Sequence, residues 1–482
     1  MGLNAYQFDQ VKVRNNLART VILHEYPLSM VDHIGFREFV SSLQPLFKLI
    51  SRNTLKSDII KIYDNERKKA LKMTNKNGSR MAITIDMWTS SNKKRGSMVI
   101  TTHFINQTWM LQSRVLRIVY VPSPHTKDVL VKVLVDCFFE WNIDRKLSTI
   151  TVDNCSTNDI MIRLLLNKLD TSSLMLSGSM LHMRCAAHIL NLIVQDGLSL
   201  IGDGIERIPD SMTYWTGSTK KRQKFDENAR QLHLQCTKEL VLDCKTHWNS
   251  TYLMLSTALI YKDVFSRLEK HEAFYTCLLT EYDWEVAKDI CGRLELFYSV
   301  TEFFFGFKYP TTNMYFTLVC ELKIALNECN LSSNEMISSM AESMLAKFNS
   351  YWVDVNVVMA VAVILDPRYK IKLLEFYYPN IYGDNSDLEI EKIKNICYDL
   401  LDEYGDVDES PVDNERSSHI PVSTSNYVAQ MKCRLSGAMS SFNLFVNNSS
   451  SSSKKHGSAR MKFDHFIDEG VLKRNEEFDI LA

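Results

Sequence analysis

Two short runs of β-branched and apolar residues, each closed by an aspartate, constrain this chain more than any other feature. One runs from Met81 to Asp86 and continues into Trp88, Thr89 and Ser90; the other runs from Leu147 to Asp153 and continues into Asn154, Asn158 and Asp159. A strand of this kind delivers a carboxylate to the edge of a sheet, where α/β folds take their ligands. Two carboxylates brought together this way can hold divalent ions for phosphodiester chemistry. Asp86 and Asp153 are therefore the catalytic and metal candidates, and their oxygen donors suit Mg²⁺ or Mn²⁺. Such a site needs a third acid. Glu469, Glu476 and Glu477 are the late acidic residues, and none is nominated, so the pair reads as vestigial.

The surrounding pattern fills in the fold. Residues 1–80 read as helices: Phe36, Phe39, Val40 and Leu43 recur at helical spacing before Pro45, and 57–73 forms a charged amphipathic helix. Strands follow at 81–86, 97–104 and 109–120, with 105–108 as a hairpin turn. A helix over 125–141, a strand over 147–153, a helix over 158–169 and a short strand running into a helix over 183–198 complete the series. Three strands, helix, strand, helix, strand, helix is the order of a ribonuclease H-like core, in which the first and fourth strands are neighbours. From Trp248 to about Leu374 the chain reads as amphipathic helix. The fold class is α/β plus all-α, a ribonuclease H-like core with a large helical region. The expected divisions are a helical region 1–80, the core 81–200, the helical region 201–400, an acidic and Ser-rich linker 401–460 and a closing segment 461–482.

Composition narrows the partners. The formal charge is −1, so no global basic field marks a nucleic-acid binder. Local clusters must do that work, and two exist: Lys93, Lys94 and Arg95 just after the Asp86 strand, and Lys220, Lys221 and Arg222. The second could equally serve nuclear import. The 11 cysteines lack any Cys-x-x-Cys pairing, which points to reduced, intracellular thiols and to no zinc finger. The longest apolar run, 355–365, is far too short for a membrane span, and no signal-peptide pattern opens the chain.

Six ordered blocks resemble the hAT transposases, and within them the plant RICESLEEPER and DAYSLEEPER group. They are Tyr26–Pro45; Thr84–Ser90 around Asp86 and Trp88; Thr151–Asp159 around Asp153; Arg184–Asn191 with Cys185 and His188; Leu242–Tyr252 with His247 and Trp248; and Phe348–Leu374 with Asp366, Pro367 and Arg368. The resemblance implies a catalytic role for Asp86 and Asp153, and DNA handling by an exposed Trp248 indole through base stacking. It implies a phosphate contact at position 247, weakened here because histidine replaces the usual arginine. Trp248 could instead be a core residue, one of seven tryptophans. Cys185 and His188 form the family's Cys-x-x-His motif; with no second half for a four-ligand zinc site, they read as packed side chains.

The family's BED zinc finger has no counterpart before residue 80, and 463–482 resembles the lead-in to its dimerisation region. The expected function is thus a nuclear DNA-binding protein of transposase descent, without transposition and without an assured dimer. Sequence-specific readout is not expected, because a finger that would reach base edges is missing. Two alternatives stay open. One is a metal-dependent transposase or nuclease completed by a hAT-family partner or a longer isoform; the other is an interaction scaffold, or a relic, built on the helices of 250–400.

Overall fold

The computed structural model describes residues 8–89, 96–121, 126–201, 207–234, 238–244, 248–272, 274–305, 312–405, 439–446 and 459–472. The chain divides into two compact units: residues 1–78 with 138–144, and residues 79–137 with 145–482.

The first unit is built on helices α1 (Gln10–Leu23), α2 (Ile34–Leu43) and α3 (Arg52–Lys76). Asp9 caps α1 by accepting from the amides of Val11 and Lys12, and Ser51 accepts from Thr54 to start α3. Their apolar stripes meet in a small core of Ala18, Val21, Val31 and Leu55, with Ile59 and Ile62 packed against it. A buried fork, Arg14 on Asp58 at 2.7 Å, ties α1 to α3.

The second unit contains a five-stranded sheet: β1 (Met81–Thr89), β2 (Gly96–Ile105), β3 (Leu111–Val121), β4 (Leu147–Val152) and β5 (His182–Arg184). Its spatial order is β3-β2-β1-β4-β5. β1 and β2 are antiparallel, as are β2 and β3, whereas β4 runs parallel to both β1 and β5. Along β2, buried and half-buried residues alternate strictly, the period of two that one buried face imposes. The hairpin turn is held by Asn106, whose Oδ1 accepts from the amides of Thr108 and Met110. Helices α4 (Lys127–Glu140), α5 (Ser156–Leu166) and α6 (Ala186–Ser199) follow their strands in the order read from the sequence. The ribonuclease H-like arrangement is present.

Beyond α6 the chain is helical: α7 (Arg207–Thr216), α8 (Thr219–Gln231), α9 (Trp248–Ile260), α10 (Lys262–His271), α11 (Glu281–Phe305), α12 (Thr312–Asn330), α13 (Glu335–Ile364), α14 (Lys372–Tyr382) and α15 (Ser386–Gly405). A short helix, α16, covers 439–446, and α17 is Ala459–Asp468. The later helices return to the sheet. α13 packs along α6 and reaches β5. Gly197 permits the α6–α13 approach, since a Cβ there would sit 2.6 Å from Cγ of Met344. One apolar core runs from Ile189 to Ile467 and joins α6 to all of these helices.

One expectation needs correction. Residues 401–405 and 439–446 are not linker: α15 continues to Gly405, Glu403 pairs with Arg80 and accepts from the amide of Leu176, 2.7 Å away, and Phe442 of α16 is buried in the apolar core. Lys220, Lys221 and Arg222 lie in the first turn of α8. The rest of the acidic segment, 406–438, lies outside the described residues.

Candidate functional site

The parallel pairing of β1 with β4 sets Thr84 opposite Thr151. Two residues further along each chain come Asp86 and Asp153, on the same pleat face and on neighbouring chains about 4.8 Å apart. Asp86 is exposed within β1, opposite Val99 of β2. Asp153 follows the last residue of β4, and its side chain is 49% exposed. The backbone carbonyl of Asp153 accepts from Asn158 Nδ2 at 3.0 Å and from the Cys155 amide at 2.9 Å. Those bonds turn the chain into α5 at once, so Asp153 stays at the lip of the sheet.

β5 extends the same edge. Val152 stands opposite Arg184, and the amide of Cys185 donates to the Val152 carbonyl at 2.9 Å. Cys185 is the N-cap residue of α6, and His188 lies in that helix's first turn. His188 Nδ1 is 4.0 Å from an Asp153 carboxylate oxygen. Burial pushes the Cys185 thiol up; the charges of Asp153 and Asp86 push it the same way, against the amides of His188 and Ala187. Burial and the two carboxylates thus disfavour the thiolate form of Cys185. Cys185 is part of the site's floor.

A charged group that the motifs did not single out lies beside this floor. Arg184 donates to Asp159 of α5 at 3.0 Å and stands over the Tyr351 ring of α13 at 5.7 Å. His182 Nε2 is 3.9 Å from the same Asp159 oxygen. Only the adjacency of β4 and β5 brings these residues together, so no spacing along the chain announces them.

The other nominated residues fare differently. Lys93, Lys94, Arg95 and His247 lie outside the described residues. Trp248 begins α9, as its polar followers suggest, yet the indole is only 4% exposed and meets Phe297 edge-on at 6.4 Å. The expected exposed stacking platform at Trp248 is corrected to a core residue of the helical region, because apolar contact outweighs solvent for so large a ring. The exposed indole near the carboxylates is Trp88, 44% exposed and on the same pleat face as Asp86.

The second basic cluster is largely engaged. Lys221 Nζ stands 3.4 Å from the Tyr214 ring centre, Arg222 pairs with Glu239 at 3.0 Å, and nearby Lys224 pairs with Glu272. Lys220 remains exposed.

For a divalent ion, Asp86 and Asp153 supply two hard oxygen groups. Among the described residues, no three His, Cys, Asp or Glu side chains converge on one point. The pair suits a hydrated Mg²⁺ or Mn²⁺ that takes its remaining ligands from water and phosphate. Among the described residues no helix is long and apolar enough to cross a membrane.

A β3-β2-β1-β4-β5 sheet with one aspartate within its first strand and another just past its fourth, followed by helices that return to it, defines the ribonuclease H-like core of a transposase-type protein. Sequence comparison agrees region by region. Residues 84–181 match the family model of the ZBED1 RNase-like domain, 183–293 the ZBED1 RNase-like helical domain, and 313–404 the hAT-like transposase RNase-H fold. The zinc finger BED domain-containing protein RICESLEEPER 2 of Oryza sativa subsp. japonica is 32% identical over 480 residues, 98% of this chain and 66% of that protein. RICESLEEPER 4 of the same plant is 30% identical over 98% of this chain and 71% of its own length. The AC transposase sequence of Zea mays is 31% identical, over 100% of this chain and 58% of that protein. The chain belongs to the hAT transposase family that includes the RICESLEEPER proteins. It spans just under two thirds of the length of RICESLEEPER 2.

Proposed function

We propose that this chain is a DNA-binding protein of transposase descent that acts in the nucleus, and that its activity is binding rather than strand transfer. One observation carries the reading. The sheet edge presents Asp86 and Asp153 side by side with an exposed Trp88. Asp86 and Asp153 would hold a bound Mg²⁺ or Mn²⁺, which would supply charge neutralisation to a DNA phosphate at that edge. His188 lies 4.0 Å from the Asp153 carboxylate, and the Arg184–Asp159 pair holds β5 and α5 in place beside it. Trp88 offers a ring face on which an unpaired base can stack.

The test is fluorescence anisotropy of the chain with duplex and hairpin DNA across a salt series, with and without Mg²⁺. Salt-dependent binding supports the reading, and binding absent even at low salt overturns it. A second reading has its own support in the retained register of the two aspartates: a metal-dependent nuclease completed by a hAT-family partner. Strand cleavage in Mn²⁺ that disappears in Asp86→Asn and Asp153→Asn would replace binding with that activity.

A further inference from the structure

The basic clusters visible as runs in the sequence do not exhaust the cationic surface. Helix α3 carries eight Lys or Arg residues against three Asp or Glu over 25 residues. Three of its cations are engaged, Arg52 with Asp32, Arg67 with Glu140 and Lys69 with Glu66, while the buried Asp58 takes Arg14 from α1 and Lys56 lies on another side of the helix. Lys61, Lys68, Lys72 and Lys76 are different. Each is exposed, and none has an acidic partner among the described residues. At 100° per residue they fall within about 80° of one another, on a face centred about 110° round the helix from Leu55, Ile59 and Ile62, which face the unit's core.

The stripe is about 22 Å long at 1.5 Å per residue. Exposed Asn65 lies within it and Asp64 at its flank. The unit that carries it, residues 1–78 with 138–144, has thirteen Lys or Arg against nine Asp or Glu. That is a formal +4 in a chain whose total is −1.

We propose that the Lys61–Lys68–Lys72–Lys76 stripe of α3 is a DNA-backbone contact surface that tracks phosphates without reading bases. This rests on the DNA-binding reading above and adds where the duplex is held. Phosphates on one strand advance 3.4 Å per nucleotide along the duplex, so a stripe of this length spans about six of them. Four ammonium groups on flexible stems suit point-charge contact with phosphates, and none presents the planar fork that reads guanine. Leu55, Ile59 and Ile62 are packed in the unit's core, and the exposed Ile60 and Tyr63 lie outside the lysine stripe, so the stripe is not flanked by a continuous apolar face, which favours DNA over an anionic lipid surface.

The experiment uses the full chain with all four stripe lysines changed to glutamine, and a charge-matched control in which exposed Lys168, Lys238, Lys270 and Lys288 are changed instead. Anisotropy with a 20-bp duplex is recorded across salt. Loss of four phosphate contacts should flatten the slope of log K against log salt by about 3 to 4, and weaken binding more than tenfold near physiological salt. The control should keep the wild-type slope. Wild-type binding with an unchanged slope in the stripe variant overturns the stripe while leaving DNA binding in place. Wild type that fails to bind DNA at low salt overturns both. Stripe-dependent binding to phosphatidylserine vesicles, with none to DNA, overturns the choice of partner.

Discussion

Helices α3 and α8 both carry basic residues, and their fates differ. In α8 the cations are adjacent in sequence at Lys220, Lys221 and Arg222, but an aromatic ring and a glutamate occupy two of the three. In α3 the cations are scattered over 25 residues, yet the helical period gathers four of them on one exposed face. A run of like charges is therefore a poor measure of surface field. What decides is whether the fold supplies each charge with a partner, since a paired cation near the surface has little left to offer a phosphate.

This contrast between engaged and free groups can be pushed hardest in the core. Asp366 is fully buried and receives Arg368 Nη2 at 2.7 Å, together with the amide of Asn313. Asp366→Ala strands a guanidinium and an amide, and should destabilise the chain by about 3–5 kcal/mol; urea unfolding reads this directly. A loss below about 1 kcal/mol would mean that engagement of this kind contributes little to stability.

The two tryptophans offer a comparison of similar size. Trp248→Ala removes a buried ring and should cost about 3–5 kcal/mol of stability. Trp88→Ala removes a half-exposed ring and should leave the melting behaviour nearly unchanged while weakening hairpin DNA binding several-fold. Equal effects of the two on both readouts would break the assignment of Trp88, rather than Trp248, as the exposed platform.

The smallest effect belongs to α8. Lys221→Gln with Arg222→Gln should cost only about 0.5–2 kcal/mol, from one cation–π contact and one exposed ion pair. Its duplex-binding slope should shift far less than that of the α3 stripe variant. A shift as large as the stripe's would show that these residues leave their partners to meet DNA.

Much of the fold was legible along the chain. β-branched alternation marks β1, β2 and β4, Pro45 closes α2, and Asn106 makes the hairpin turn, because each of these signals is local. The helical continuation over 401–405 is not legible along the chain, because a run of Asp and Glu looks solvated until Arg80 is brought against Glu403. Trp248 was hard to place for a related reason: a polar helix start says nothing about which way the indole turns.

By itself the sequence determined the order of elements, the two aspartates carried by the β1 and β4 runs, and the membership that six ordered blocks carry. These depend on local periodicity and on residue identity, which survive without a third dimension. Only the tertiary structure decided that Arg184 joins Asp159, that Lys221 rests on Tyr214 and that Lys61, Lys68, Lys72 and Lys76 stay exposed with no acidic partner among the described residues. Those outcomes turn on which side chain meets which across the fold, and burial and pairing of charge are properties of contacts between elements rather than of any stretch of chain.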